Sequence, residues 1–106
     1  MTEADDDLEL LLAAARADFA SRLDGKLCEL QELSTRGDWA EARRAAHRLR
    51  GSAGTYGFPK IGAAAGEMED ILIDADLSPN DEAKSRFASA VAAARVEAEV
   101  AARGAA

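Results

Sequence analysis

Apolar residues recur at spacings of three and four along most of this 106-residue chain, and that periodicity restricts it to helices. No stretch alternates with period two, as a half-buried strand would. Alanine is abundant while aromatic residues make up only 5%, a composition that suits closely packed helices better than sheets. The longest stripe consists of Leu8, Leu11, Leu12, Ala15, Phe19, Leu23, Leu27, Leu30 and Leu33. The sequence therefore predicts an all-α fold.

Helix-end signals divide the chain into further segments. Gly37 is typical of a helix end, and Asp38 followed by Glu41 forms a capping-box pattern that begins the next helix. Three more stripes follow: Trp39, Ala42, Ala46, Leu49, Ala53 and Tyr56; Ile61, Ala64, Ala65, Met68, Leu72 and Ala75; and Phe87, Val91, Ala94 and Ala98. Short connections make neighbouring helices antiparallel. We predict one domain over residues 1–106, an up-down antiparallel four-helix bundle with a short additional N-terminal helix. That helix could instead extend the first, and the pattern leaves open a bend near Ala17.

The charge balance narrows the classes of function. Twenty acidic and thirteen basic residues give a net charge of −7, so the whole molecule repels nucleic acid and anionic membranes. Cys28 is the only cysteine, which excludes an intramolecular disulfide and a CxxC motif. The acidic start, MTEADDD, is unlike a secretory signal, and no apolar run has the length a bilayer requires. We expect a cytoplasmic protein that binds neither nucleic acid nor membrane.

His47, the only histidine, lies on the solvent side of its helix. At about 100° per residue, it falls about 130° from the centre of the apolar stripe of its helix. No acidic residue occurs between Ala42 and Gly66, whereas basic residues concentrate there. They include Arg43, Arg44, Arg48 and Arg50. Such a charge run is usually plain solvated surface, but around the sole histidine it fits an anionic group that reaches the imidazole.

Two glycines interrupt the same helix, and each costs about 1 kcal/mol relative to alanine. Gly54 could serve close packing between helices, whereas Gly51 lies near His47 on the solvent side. A missing side chain at Gly51 leaves space for another protein to reach the ring. An exposed imidazole surrounded by arginines suits nucleophilic attack on phosphorus, with the cations compensating charge on the phosphoryl oxygens.

The segment from His47 to Gly57, HRLRGSAGTYG, resembles the signature H-x-L-[KR]-G-[SA]-[SA]-x-x-x-G of histidine-containing phosphotransfer (HPt) domains. The resemblance continues at Ile61 and at Met68-Glu69, and begins earlier at Gly37-Asp38-Trp39. It is specific from residue 37 to about residue 72 and elsewhere is only a helical pattern. Arg50 is a departure, because lysine is commoner there; the charge is retained, but a point charge becomes a planar fork.

The resemblance implies a four-helix bundle in which His47 accepts a phosphoryl group and Arg50 steadies it. Partner access and docking are then expected at Gly51, Gly54, Arg43, Arg44 and Arg48. The implied partners are a hybrid histidine kinase and response-regulator receiver domains, whose acidic pocket binds Mg²⁺ and presents a phospho-aspartate. The phosphoryl group would pass from one receiver aspartate to His47 and then to another. The chain itself would need no metal or other cofactor and hydrolyse no ATP.

Three alternatives compete with this interpretation. The dimerisation domain of a histidine kinase favours an acidic residue directly after the histidine, where this chain has Arg48. A carboxylate metal site built from Glu67, Glu69, Asp70 and Asp74 lacks the second histidine of the di-iron pattern. A helical adaptor that binds a receiver or kinase without transferring phosphate stays open, and with it the question of whether the chain is an enzyme.

Overall fold

The structure is a computed structural model that describes residues 3–104, with side chains described from residue 6. Four helices make up this part of the chain, which contains no strand. They are α1 (Glu3–Arg36), α2 (Trp39–Tyr56), α3 (Pro59–Asp74) and α4 (Asp81–Gly104). Each helix packs against two others, in the cyclic order α1, α2, α3, α4. The predicted four-helix bundle is confirmed. No helix within residues 3–104 has the length and apolarity to cross a membrane.

The short additional N-terminal helix is not a separate element within the described residues. Its residues are the beginning of α1, which runs without a break from Glu3 through Ala17 to Arg36. The physical reason is local: residues 3–17 contain neither glycine nor proline, and the alanines around residue 15 are strong helix formers. The alternative in which this segment extends the first helix is therefore correct.

The N-terminal part of α1 is helical as predicted, but its leucines lie outside the core. Leu8 and Leu11 are 56% and 68% exposed, and the first buried residue of the stripe is Phe19. Phe19 lies where the turn between α2 and α3 meets α1, with its ring 5.1 Å from that of Tyr56 and 5.4 Å from that of Phe58. N-terminal to Phe19, the neighbouring helices do not cover the apolar side of α1.

The turn between α1 and α2 forms only half of the predicted capping box. The Asp38 carboxylate accepts a hydrogen bond from the backbone N–H of Glu41 at 3.4 Å. The Glu41 side chain does not return to the Asp38 backbone but binds arginines of α2. Gly37 and Gly57, which end α1 and α2, both have left-handed φ values of 72° and 79° that favour glycine.

Helices α2 and α3 are antiparallel and meet closely at Gly62. A Cβ atom at Gly62 would lie 3.7 Å from the Ala53 Cβ and 3.8 Å from the Arg50 carbonyl oxygen. Gly54, for which close packing was one expectation, is instead exposed, and a Cβ there would meet nothing within 4 Å. The distances at Gly62 are ordinary van der Waals distances, and the packing of the two helices places the middle of α3 alongside His47.

Candidate functional site

His47 lies in the middle of α2, with 69% of its side chain exposed to solvent. Its imidazole Nδ1 is 2.7 Å from Oε2 of Glu69 on α3. No hydrogen bond joins the other ring nitrogen, Nε2, to a residue of the described part of the chain. The ring is thus held at one nitrogen by the bundle and is free at the other.

Glu69 is the one charged residue buried in the described part of the chain. Its Oε1 accepts a hydrogen bond from the Arg50 guanidinium at 3.3 Å, and its Oε2 lies 3.8 Å from the Arg43 guanidinium. A carboxylate withdrawn from water requires such partners, since burying an unpaired charge costs several kcal/mol. The Glu69 carboxylate therefore contacts three side chains of α2: Arg43, His47 and Arg50.

This arrangement fixes the tautomer of the imidazole. The Glu69 oxygens face two guanidinium groups, and an ionised carboxylate only accepts hydrogen bonds. The Nδ1 atom of His47 must then carry the proton that it donates to Glu69. In the neutral ring, the lone pair available for chemistry is consequently on Nε2.

The contact between Glu69 and His47 was not predicted from the sequence. There Glu69 was only one of four acids of an alternative metal site and part of the HPt-like pattern. A signal was present, because Glu69 lies four residues after Ala65 and three before Leu72, within an apolar stripe. An acid on a buried helix face needs a cationic partner, and α2 supplies the arginines.

The other two arginines near His47, Arg44 and Arg48, are paired with Glu41. Its carboxylate lies 2.8 Å from the Arg44 guanidinium and 3.4 Å from that of Arg48. The hydrogen bond from Arg44 is the main cause that lowers the pKa of the Glu41 carboxyl from its ordinary value of 4.5. Arg43, Arg44, Arg48 and Arg50 thus each contact a carboxylate. The surface around His47 is therefore less positive than the acid-free segment from residue 42 to residue 66 predicted.

Gly51 and Gly54 leave the surface beyond His47 open. Both are exposed, and a Cβ atom at either would meet nothing within 4 Å. Neither glycine is therefore required for packing within the bundle. The open surface extends along the solvent side of α2, on the same side as the imidazole.

The four acids of the alternative metal site do not converge. Glu69 is buried against α2, whereas Glu67, Asp70 and Asp74 are exposed on α3. Over residues 6–104, no group of three or more histidine, cysteine, aspartate or glutamate side chains is arranged to hold a metal ion.

The structure is thus a small antiparallel helical bundle that carries one exposed histidine, hydrogen-bonded to a buried glutamate. The family model described as Hpt domain matches residues 1–103, nearly the whole chain. The chain therefore belongs to the histidine-containing phosphotransfer domain family, which acts in phosphotransfer between histidine kinases and receiver domains of two-component systems. No curated protein and no solved structure matches it.

Proposed function

We propose that the protein is a phosphorelay intermediate that accepts a phosphoryl group on Nε2 of His47 from a receiver aspartate and passes it to a second receiver. The observation that carries this proposal is the 2.7 Å contact between Nδ1 and Glu69 at a mostly exposed ring. It leaves a nucleophilic nitrogen facing solvent, where a second protein can present a phospho-aspartate.

The transfer needs no proton to leave the imidazole. The Nε2 lone pair of His47 attacks phosphorus, the N–P bond forms, and the P–O bond to the receiver aspartate breaks with its electron pair left on that carboxylate. The ring becomes positively charged and retains its Nδ1 proton, which Glu69 stabilises by hydrogen bonding. In the reverse direction, a second aspartate attacks phosphorus and the electron pair returns to Nε2.

Arg50 is the residue that we assign to the phosphoryl oxygens. It lies three residues after His47, on the next turn of α2, and 55% of its side chain is exposed. One guanidinium nitrogen contacts Glu69, and the planar fork has further N–H donors for a phosphoryl group. Arg50 would thus contact both the Glu69 carboxylate and the phosphoryl group on Nε2 of His47.

We assign all metal chemistry to the partner receiver domain. Mg²⁺ belongs to the acidic pocket of the receiver, and this chain contributes an imidazole and arginines without a metal or nucleotide of its own. We place the exchange in the cytoplasm.

Incubation with a receiver that is phosphorylated on its aspartate tests the proposal directly. We expect the label to move to this chain, to be labile in acid and stable in base, and to leave again when an unphosphorylated second receiver is added. A chain that binds the receiver and takes up no label would instead be the helical adaptor, and the proposal would be wrong.

Gly51→Gln should block transfer from a receiver and leave the bundle intact. Glutamine is the better helix former by up to about 1 kcal/mol, and the open surface accepts its side chain. The same side chain obstructs a protein that approaches His47. Transfer from a phosphorylated receiver and thermal denaturation measure the two effects.

Phosphoramidate, a small donor that phosphorylates imidazole without a receiver, is the control for Gly51→Gln. It should still label the variant, because only access by a protein is lost. Gly25→Gln adds the same side chain to an exposed, open position of α1 and should transfer normally. Unchanged transfer in Gly51→Gln would show that Gly51 does not provide receiver access.

The arginines should separate into two kinetic classes. Arg50→Ala should slow transfer within the formed complex, roughly ten- to a hundredfold for a loss of about 1–3 kcal/mol at a charged donor. Arg48→Ala should mainly slow association and reduce its salt dependence, and Arg44→Ala should do the same. Glu41→Gln should have the opposite effect, since it releases both arginines from their shared carboxylate.

Receiver affinity and single-turnover transfer, measured over a range of salt concentrations, distinguish the classes. If Arg50→Ala changes affinity alone, its assigned role at the phosphoryl group is wrong. If the variants at Arg44, Arg48 and Glu41 leave association unchanged, these side chains are ordinary solvated surface.

A further inference from the structure

Gly66, a buried glycine of α3, lies directly beneath the Arg50 side chain. A Cβ atom at Gly66 would be 3.3 Å from Nε of Arg50 and 3.5 Å from both Cδ and Cζ. These three atoms are consecutive, so the end of the Arg50 side chain crosses α3 at Gly66. It continues from there to the Glu69 carboxylate, where Nη1 of Arg50 donates a hydrogen bond to Oε1 at 3.3 Å.

Gly66 differs from the other glycine on this face of α3. A Cβ atom at Gly62 would make ordinary van der Waals contacts of 3.7–3.9 Å with α2. A Cβ atom at Gly66 would make a closer contact, and with a flexible side chain rather than with backbone. The three nearest atoms that a methyl group at Gly66 would meet all belong to Arg50, so the end of that side chain would have to shift by a few tenths of an ångström relative to Glu69.

We propose that Gly66 is a positioning residue for Arg50. Because Gly66 has no side chain, the Arg50 guanidinium can cross α3 there and reach Glu69 beside His47. This inference rests on the proposed function. A guanidinium is wider than the methylene stem and ammonium of lysine, so arginine in particular needs the space that Gly66 leaves. The glycine costs helix propensity within α3, which the placement of Arg50 explains.

Gly66→Ala tests the proposal in the full chain. We expect the variant to fold, because alanine is the better helix former and the atoms that it meets belong to a flexible side chain. Transfer from a phosphorylated receiver should fall roughly tenfold, the lower range for weakening one charged contact at a phosphoryl group. Gly62→Ala, which adds a methyl group to the same face of α3, is the matched control and should transfer normally.

Rescue by lysine separates positioning from a general packing defect. In the Gly66→Ala background, Arg50→Lys should restore most of the transfer rate, because the narrow lysine stem passes a Cβ atom. In the wild-type background, the same substitution should give no gain. A double variant as slow as Gly66→Ala alone would overturn the proposal, as would wild-type transfer by Gly66→Ala.

The resonance of the Arg50 Nε–H group in nitrogen-15 spectra provides a readout without any phosphodonor. Gly66→Ala should shift this resonance and speed its exchange with water, and Gly62→Ala should not. If the wild-type chain accepts no phosphoryl group, the proposed function fails, and the spectra still decide whether Gly66 positions Arg50. An unchanged Arg50 resonance in Gly66→Ala would show that it does not.

Discussion

His47→Gln should abolish phosphoryl acceptance and leave the bundle folded. His47 is the only histidine in the chain, so no second imidazole can replace the nucleophile. Its side chain is 69% exposed and contributes little packing, while the glutamine amide keeps a donor for Glu69. The free energy of unfolding should therefore change by less than about 1 kcal/mol.

Phosphoramidate and intact-mass measurement make this test independent of the receiver. The wild-type chain should gain one phosphoryl group and the variant none, with thermal denaturation as the check on folding. Thr55→Gln places the same side chain at an exposed position two turns further along α2 and should label like the wild type. Equal labelling of His47→Gln and wild type would mean that another residue is the acceptor.

The helix boundaries follow from local sequence. Gly37 and Gly57 adopt left-handed conformations that end α1 and α2, and Asp38 caps α2. These effects act within a few residues, so the sequence alone predicts them. The solvent-facing position of His47 is likewise predictable, because helical winding needs only the position of the apolar stripe.

Burial at the N-terminal end of α1 depends on the neighbouring helices. Leu8 and Leu11 continue the apolar period that buries Phe19, yet both are exposed. Periodicity shows which face of a helix is apolar, whereas the reach of the adjacent helices decides how much of that face is covered. That reach is a property of the whole bundle and is not encoded in the local pattern.

The pairing of His47 with Glu69 likewise depends on the register between two helices. The two residues are 22 positions apart, and they meet because α2 and α3 pack side by side. A shift of one turn would pair His47 with another residue of α3. Sequence reasoning could therefore propose the nucleophile but could not identify the carboxylate that holds it.

Glu69→Gln should slow phosphoryl transfer strongly with little effect on stability. The glutamine retains the size of Glu69 but not the negative charge that stabilises the Nδ1 proton and the positively charged ring. A loss of about 1–3 kcal/mol in the transition state corresponds to roughly ten- to a hundredfold in rate. The arginines that Glu69 pairs are partly exposed, so water solvates them, and the free energy of unfolding should change by about 1 kcal/mol or less.

Nitrogen-15 spectra of the imidazole connect the rate to the tautomer. In the wild type at neutral pH, the proton should reside on Nδ1, and in Glu69→Gln a larger share of neutral rings should carry it on Nε2. Glu67→Gln, an exposed carboxylate two residues earlier on α3, is the matched control and should change neither the tautomer nor the rate. Glu69 is important for chemistry if the rate and the tautomer change together while stability is retained. If Glu69→Gln transfers at the wild-type rate with the proton still on Nδ1, the negative charge beneath the ring is not what activates His47.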